Sequence, residues 1–182
     1  MWSRASLAFV CSIALVPGVA RADAYGDLLK IKAAFDAATS FHAVMQVAAG
    51  PGIVVEHVAP DRWKIQPFPG VTAYIIGKDV TLESNGKKLP QTPAMQGSLH
   101  QLVDQIDSID ASDEVKSTAK DLGTQTLDGQ SVHTYSFTSG PSQVTISVGS
   151  NMLPVQSIVT AQQGTITVKY TQFNDASIVI QP

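Results

Sequence analysis

The sequence predicts an α+β domain: a large curved antiparallel sheet with an N-terminal helix and a helical insertion packed on its concave face. Three observations predict it. Two segments carry apolar residues at helical spacing. Most of the remaining chain alternates apolar and polar residues with a period of two. Turn-forming pairs punctuate that alternation about every 8–12 residues, the rhythm of a large antiparallel sheet.

The first helical segment spans roughly residues 25–38. Leu28, Ile31, Phe35 and Ala38 fall on one stripe, with Lys30, Lys32 and Asp36 off it. From Phe41 the period changes. Phe41, Ala43, Met45 and Val47 share one face of a strand, and Gly50-Pro51-Gly52 turns the chain. Strands are expected over residues 53–58, 62–66 and 71–76, continuing through 80–82 into Ser84-Asn85-Gly86-Lys87. Asn-Gly accepts positive φ at both central positions of a tight type I′ hairpin. Up to this point the chain reads as an antiparallel meander.

Residues 90–97 read as a loop, followed by a second helix over about 99–109. Ser98 and Gln101 are spaced as a capping box, and Leu99, Leu102, Val103, Ile106 and Ile109 form its apolar stripe. Asp104, Asp107 and Asp110 lie on its polar side. A short helix or irregular turn is expected over 112–119. Strand and hairpin then resume: Asp128-Gly129 turns into 131–137, Ser139-Gly140-Pro141 into 144–148, Gly149-Ser150-Asn151 into 153–160, and Gln163-Gly164 into 165–171, with 177–180 as a closing strand. Neither a fixed-period repeat nor a linker interrupts this, so residues 23–182 are expected to form a single domain.

The first 22 residues have the three parts of a cleaved secretory signal. Arg4 supplies positive charge, Leu7–Val16 is a short apolar run, and Ala20-Arg21-Ala22 is a small-x-small cleavage site. The apolar run is half the roughly 20 residues that a transmembrane helix requires. Cleavage would remove the single cysteine, Cys11, leaving a chain without disulfides, thiolate metal sites or a cysteine nucleophile, held together by its apolar core. It would also remove two arginines, leaving 10 basic against 15 acidic side chains, net −5. Without a basic stripe, the chain is not expected to bind nucleic acid. Nor does its charge favour docking on anionic lipid headgroups. The expected location is the periplasm.

Catalytic signatures are sparse. His42, His57, His100 and His133 are widely separated and match neither His-x-His nor His-Glu-x-x-His spacing. The sequence contains neither a Gly-x-Ser-x-Gly elbow nor a phosphate-cradling glycine loop. The three aspartates of the second helix lack the glycine-centred ligand loop of a calcium site and read as a solvated helix face. No catalytic residue, metal site or cofactor is therefore expected. Arg62-Trp63-Lys64 is the one basic-aromatic cluster. Alternation places Trp63 with Ile65 on one face and the two cations on the other. Trp63 then belongs either to the core or to the wall of an apolar pocket.

The order of motifs along the chain resembles a known family. After the first helix come Val58-Ala59-Pro60-Asp61-Arg62-Trp63-Lys64-Ile65 and Ala73-Tyr74-Ile75-Ile76-Gly77-Lys78. Leu122-Gly123-Thr124, Leu127-Asp128-Gly129 and Val132-His133-Thr134-Tyr135-Ser136-Phe137 follow. Leu153-Pro154-Val155, residues 170–175 and the final 178–182 complete the set. The chain from residue 23 onward resembles the superfamily of the periplasmic outer-membrane lipoprotein carrier protein, LolA-like. The resemblance implies an unclosed half-barrel with helices as a lid, acyl chains being held between the two. It departs at one point. The carrier's strand-region arginine, which ties the lid shut, has no counterpart here. Arg62, the only arginine after position 22, sits in the neighbouring motif.

The expected function is that of a non-enzymatic binding or carrier protein for an acyl chain of a lipid or lipoprotein, acting as a monomer. The expected cavity wall comprises Met45, Val47, Trp63, Ile65, Tyr74, Ile76, Leu102, Ile106 and Tyr135. The alternative is an envelope sensor or interaction module on the same fold, whose partners are envelope membrane proteins. A third possibility is an enzyme, which would require histidines and carboxylates from distant strands to converge in one cleft.

Overall fold

The computed structural model describes residues 23–47, 50–106 and 112–181. The expected signal peptide, Asp107, Ile109 and Asp110 lie outside the described residues. The elements are α1 (Ala24–Asp36), β1 (Ser40–Val47), β2 (Ile53–Val58), β3 (Arg62–Phe68), β4 (Val71–Ile76), β5 (Asp79–Ser84), β6 (Lys87–Lys88), α2 (Pro93–Ile106), α3 (Asp113–Thr118), β7 (Lys120–Leu127), β8 (Gln130–Ser139), β9 (Ser142–Val148), β10 (Pro154–Ala161) and β11 (Gly164–Thr171).

All the strands belong to one eleven-stranded sheet with the order β6-β5-β4-β3-β2-β1-β11-β10-β9-β8-β7, and every described pairing is antiparallel. The chain lays down one meander outward from β1 to β6, passes through α2 and α3, and returns by a second meander from β7 to β11. The two meanders meet at the β1–β11 seam, where Ala43 lies opposite Tyr170 and Met45 opposite Val168. β6 and β7 remain unjoined, so the sheet is an unclosed half-barrel. Two of the expected tight turns are present. Asn85 and Gly86 have φ of 50° and 74°, and Asp128 and Gly129 have 50° and 81°, as a type I′ hairpin demands.

The concave face buries two apolar clusters. The first gathers Phe41, Ala43 and Met45 with Val55, Ile65, Ala73, Ile75 and Leu82, and α2 covers it through Leu99, Leu102, Val103 and Ile106. The second joins Leu28 and Ile31 of α1 and Val115 of α3 to Tyr135, Phe137, Val144, Ile146 and Val148. Phe35, at the far end of α1, reaches the first cluster. Each helix thus buries one stripe on the sheet, the arrangement that an amphipathic helix and a one-sided sheet both require.

Three local expectations are corrected. α2 begins at Pro93 rather than near residue 99. The Thr92 hydroxyl accepts a hydrogen bond from Met95 N at 3.3 Å and Pro93 fills the first helical position, where its missing N–H costs nothing. Ser98 is accordingly not a cap. It lies inside the helix, and its hydroxyl donates to the Ala94 carbonyl at 3.1 Å. Residues 177–180 form no strand. This tail is held by single contacts instead: Ser40 donates to the Asp175 carbonyl at 3.0 Å, Asn174 N to the Ser40 carbonyl at 2.9 Å, and Arg62 to the Ile180 carbonyl at 3.4 Å.

Candidate functional site

The concave face is the candidate site, and the strand register states which residues it contains. Phe41, Ala43, Met45 and Val47 of β1 align with His57, Val55 and Ile53 on one side and with Tyr170, Val168 and Ile166 on the other. The row continues through Ile65 and Trp63 to Ala73 and Ile75. In the second meander it runs from Val168 and Ile166 through Ser157 and Val159 to Ile146 and Val144, and then to Tyr135 and Phe137.

Of the residues expected to form the wall, Met45, Ile65 and Ile106 are buried in the first cluster and Leu102 packs against it. Tyr135 belongs to the second cluster. Trp63 sits in a group of rings on the same face. Its ring centroid is 4.2 Å from that of His57 and 5.7 Å from that of Phe41, and Phe41 is also surrounded by Phe35, Tyr170 and Phe173 at 5.1–5.8 Å. Trp63 is thus partly buried and packed against the first cluster. Tyr74 and Ile76 are corrected. They stand opposite Lys64 and Arg62, on the convex face, and Ala73 and Ile75 take their place inside.

Val47 is 41 % exposed at the rim of the half-barrel. With Val159, Ala161 and Ile166 it lines an apolar cleft of about 140 Å³ at the β1–β11–β10 seam. The cleft lies where the two clusters meet, since Ile166 packs on the first and Val159 on the second. It is smaller than the roughly 300–1,000 Å³ of a typical small-molecule pocket. The sequence reading did not include Val159, Ala161 and Ile166. The alternation in Thr165-Ile166-Thr167-Val168 was the signal that could have found them.

Several polar groups on this face are paired with one another, whereas the buried His57 Nδ1 has no hydrogen-bond partner among the described residues. The Tyr135 hydroxyl donates to Asp27 at 3.3 Å, and Asp27 is bridged by Lys30 at 2.7 Å. The Lys30 ammonium holds the Asp27 carboxyl below its usual range. His133 Nε2 lies 2.6 Å from Asp121, and the Ser157 and Tyr170 hydroxyls are 3.3 Å apart. Burial lowers the His57 pKa and so favours its neutral form. Among the described residues, no group of three His, Cys, Asp or Glu side chains is placed to hold a metal ion.

Tyr135 yields a prediction. Burial, followed by the adjacent Asp27 charge, pushes its phenol up to about 12 from an ordinary value near 10. The unfolded chain therefore loses this proton first as pH rises. The stabilisation is complete below pH 10 and is lost as pH climbs through about 12. Two pH units correspond to at most about 2–3 kcal/mol. Urea unfolding between pH 9 and 11.5 should show a decline in stability that is smaller by this contribution in Tyr135→Phe.

The geometry defines a fold: an unclosed antiparallel half-barrel with helices on its concave face, LolA-like in architecture. Two solved structures share it. Lipoprotein LppX of Mycobacterium tuberculosis is 14 % identical over 86 % of this chain and 98 % of its own, with a TM-score of 0.64. LprF of Mycobacterium bovis is 14 % identical over 87 % of this chain and 96 % of its own, with a TM-score of 0.57. At that identity the likeness is one of fold. No family model and no curated protein matches the sequence.

Proposed function

We infer that the protein is an exported, non-enzymatic carrier that holds an acyl chain of a lipid or lipoprotein against the concave face of its half-barrel. The observation that carries this reading is the apolar row across that face, which ends at the exposed Val47–Ile166–Val159 rim cleft. Each methylene moved from water into such surroundings contributes about 0.8 kcal/mol. The rim cleft would receive the first carbons. Deeper insertion would part the two clusters along the seam, where they meet as separately packed bodies. No helix among the described residues is long and apolar enough to cross a membrane.

The test is titration of the delipidated protein with palmitate, together with native mass spectrometry of the protein recovered after export. Saturable binding of one chain per protein is expected. Val47→Glu, at an already exposed position, should fold normally yet bind about tenfold more weakly, because a carboxylate at the cleft loses solvation when the chain enters. Absence of both copurified lipid and palmitate binding would sink the reading.

A further inference from the structure

Among the described residues, His57 Nδ1 is the only buried side-chain nitrogen or oxygen without a hydrogen-bond partner. Native domains pair nearly all such atoms, so an exception calls for an explanation. β2 places the imidazole opposite Phe41 of β1 and Trp63 of β3. Its ring centroid is 4.2 Å from that of Trp63 and 5.1 Å from that of Phe41, with interplanar angles of 39° and 38°. The rings of Phe35, Tyr170 and Phe173 continue the group around Phe41. One ring cluster therefore joins α1, β1, β2, β3, β11 and the segment that follows β11.

This cluster suits a neutral imidazole and not an imidazolium. In the neutral ring one nitrogen carries the proton and the other is an acceptor; in the cation both are donors. Protonation would make Nδ1 a charged donor, buried and facing no acceptor. Burial is accordingly the leading influence on His57 and lowers its pKa, while the Pro60 backbone carbonyl and the Asp61 charge oppose it. The indole face of Trp63 also attracts a cation, but it leaves the Nδ1–H unpaired. Glu56, Arg62 and Lys64 flank His57 and Trp63 in sequence, so they stand on the convex face, where Lys64 bridges Glu56 at 2.9 Å. β1 brings Phe41 to this side, and β11 brings the Tyr170 hydroxyl, 3.3 Å from that of Ser157. α1 reaches the cluster through Phe35, and the adjacent Asp36 is bridged by Lys32 at 3.0 Å.

We propose that His57 is an acid-sensitive latch: a proton taken up by its imidazole opens the ring cluster, and with it the Phe41 end of the concave face. The opened chain takes up that proton near the ordinary value of 6.5, the closed chain only at lower pH. Closure is therefore complete well above pH 6.5 and declines as pH falls through it, the closed-to-open ratio dropping by up to about tenfold per pH unit. The latch rests on the packing of this cluster alone, so it stands or falls apart from the acyl-chain reading.

Trp63 is the only tryptophan after residue 22 and reports the latch directly. The test follows its emission in the exported, delipidated protein from about pH 7.5 to 5.0, above the ordinary carboxylate range. Urea is held just below the unfolding midpoint found at the higher pH, where a tenfold change in the closed-to-open ratio is visible. A red shift of Trp63 emission is expected as pH falls. It should be lost in His57→Phe, which keeps a ring in the cluster without the titrating nitrogen. NMR titration of the His57 ring in the wild-type protein without urea locates the proton, and that ring should titrate below 6.5. This second measurement, with the wild-type emission profile, decides the matter if His57→Phe fails to fold. The proposal is overturned if Trp63 emission does not change over this range, if the change persists in His57→Phe, or if the His57 ring titrates at 6.5 or above.

Discussion

Replacing Phe41 by alanine is expected to destabilise the protein by about 3–5 kcal/mol, a large share of the roughly 5–15 kcal/mol that separates folded from unfolded domains. Phe41 is buried at the centre of the ring cluster, with Phe35 of α1, Tyr170 of β11 and Phe173 beyond it arranged around its ring. His57 and Trp63 close the opposite side. The cavity left by truncation cannot collapse readily, because these partners come from separate elements held by their own ladders. Phe68→Ala provides the contrast: that ring is largely exposed, and its loss should change stability by less than about 0.5 kcal/mol. Urea denaturation of both variants, read by circular dichroism, measures the difference. Equal midpoints would contradict the packing described.

Leu28→Ala should be the second costly change, at about 2–5 kcal/mol, whereas Leu29→Ala, one residue on, should cost little. Leu28 and Ile31 are fully buried and join α1 to Val115 of α3 and to the strands β8 and β9. Leu29 is 37 % exposed. Losing the Leu28 side chain loosens α1, which reaches both clusters, so the second cluster should also become accessible to an apolar dye such as ANS. The pair tests helix phase directly, because a helix rotated by one residue would reverse the two results.

The burial of α1 was readable in the sequence because its apolar spacing admits one stripe. The β1 face was readable for the same reason: Phe41, Ala43, Met45 and Val47 alternate with polar or less buried residues. β4 was not. Its sequence, Val71-Thr72-Ala73-Tyr74-Ile75-Ile76, places large apolar groups on both faces, and only its pairing with β3 and β5 shows that Ala73 and Ile75 point inward. The tail misled for a different reason. Residues 177–180 have strand-like composition, but β1 and β11 already have neighbours on both sides, so no ladder near Ser40 remained to accept them. The start of α2 was present in Thr92-Pro93 but was masked by the stronger apolar stripe that begins at Leu99.

Local sequence set the fold class, the two hairpins with paired positive φ and the apolar stripes of α1 and α2. These rest on neighbours a few residues apart, whose geometry the backbone sets locally. The tertiary structure decided what is non-local. It set the β1–β11 seam that brings Val47 beside Val159 and Ile166, and the concave face of each strand. A period of two states that a strand has two faces. Only the partner strands and the helices packed on them state which face is dry.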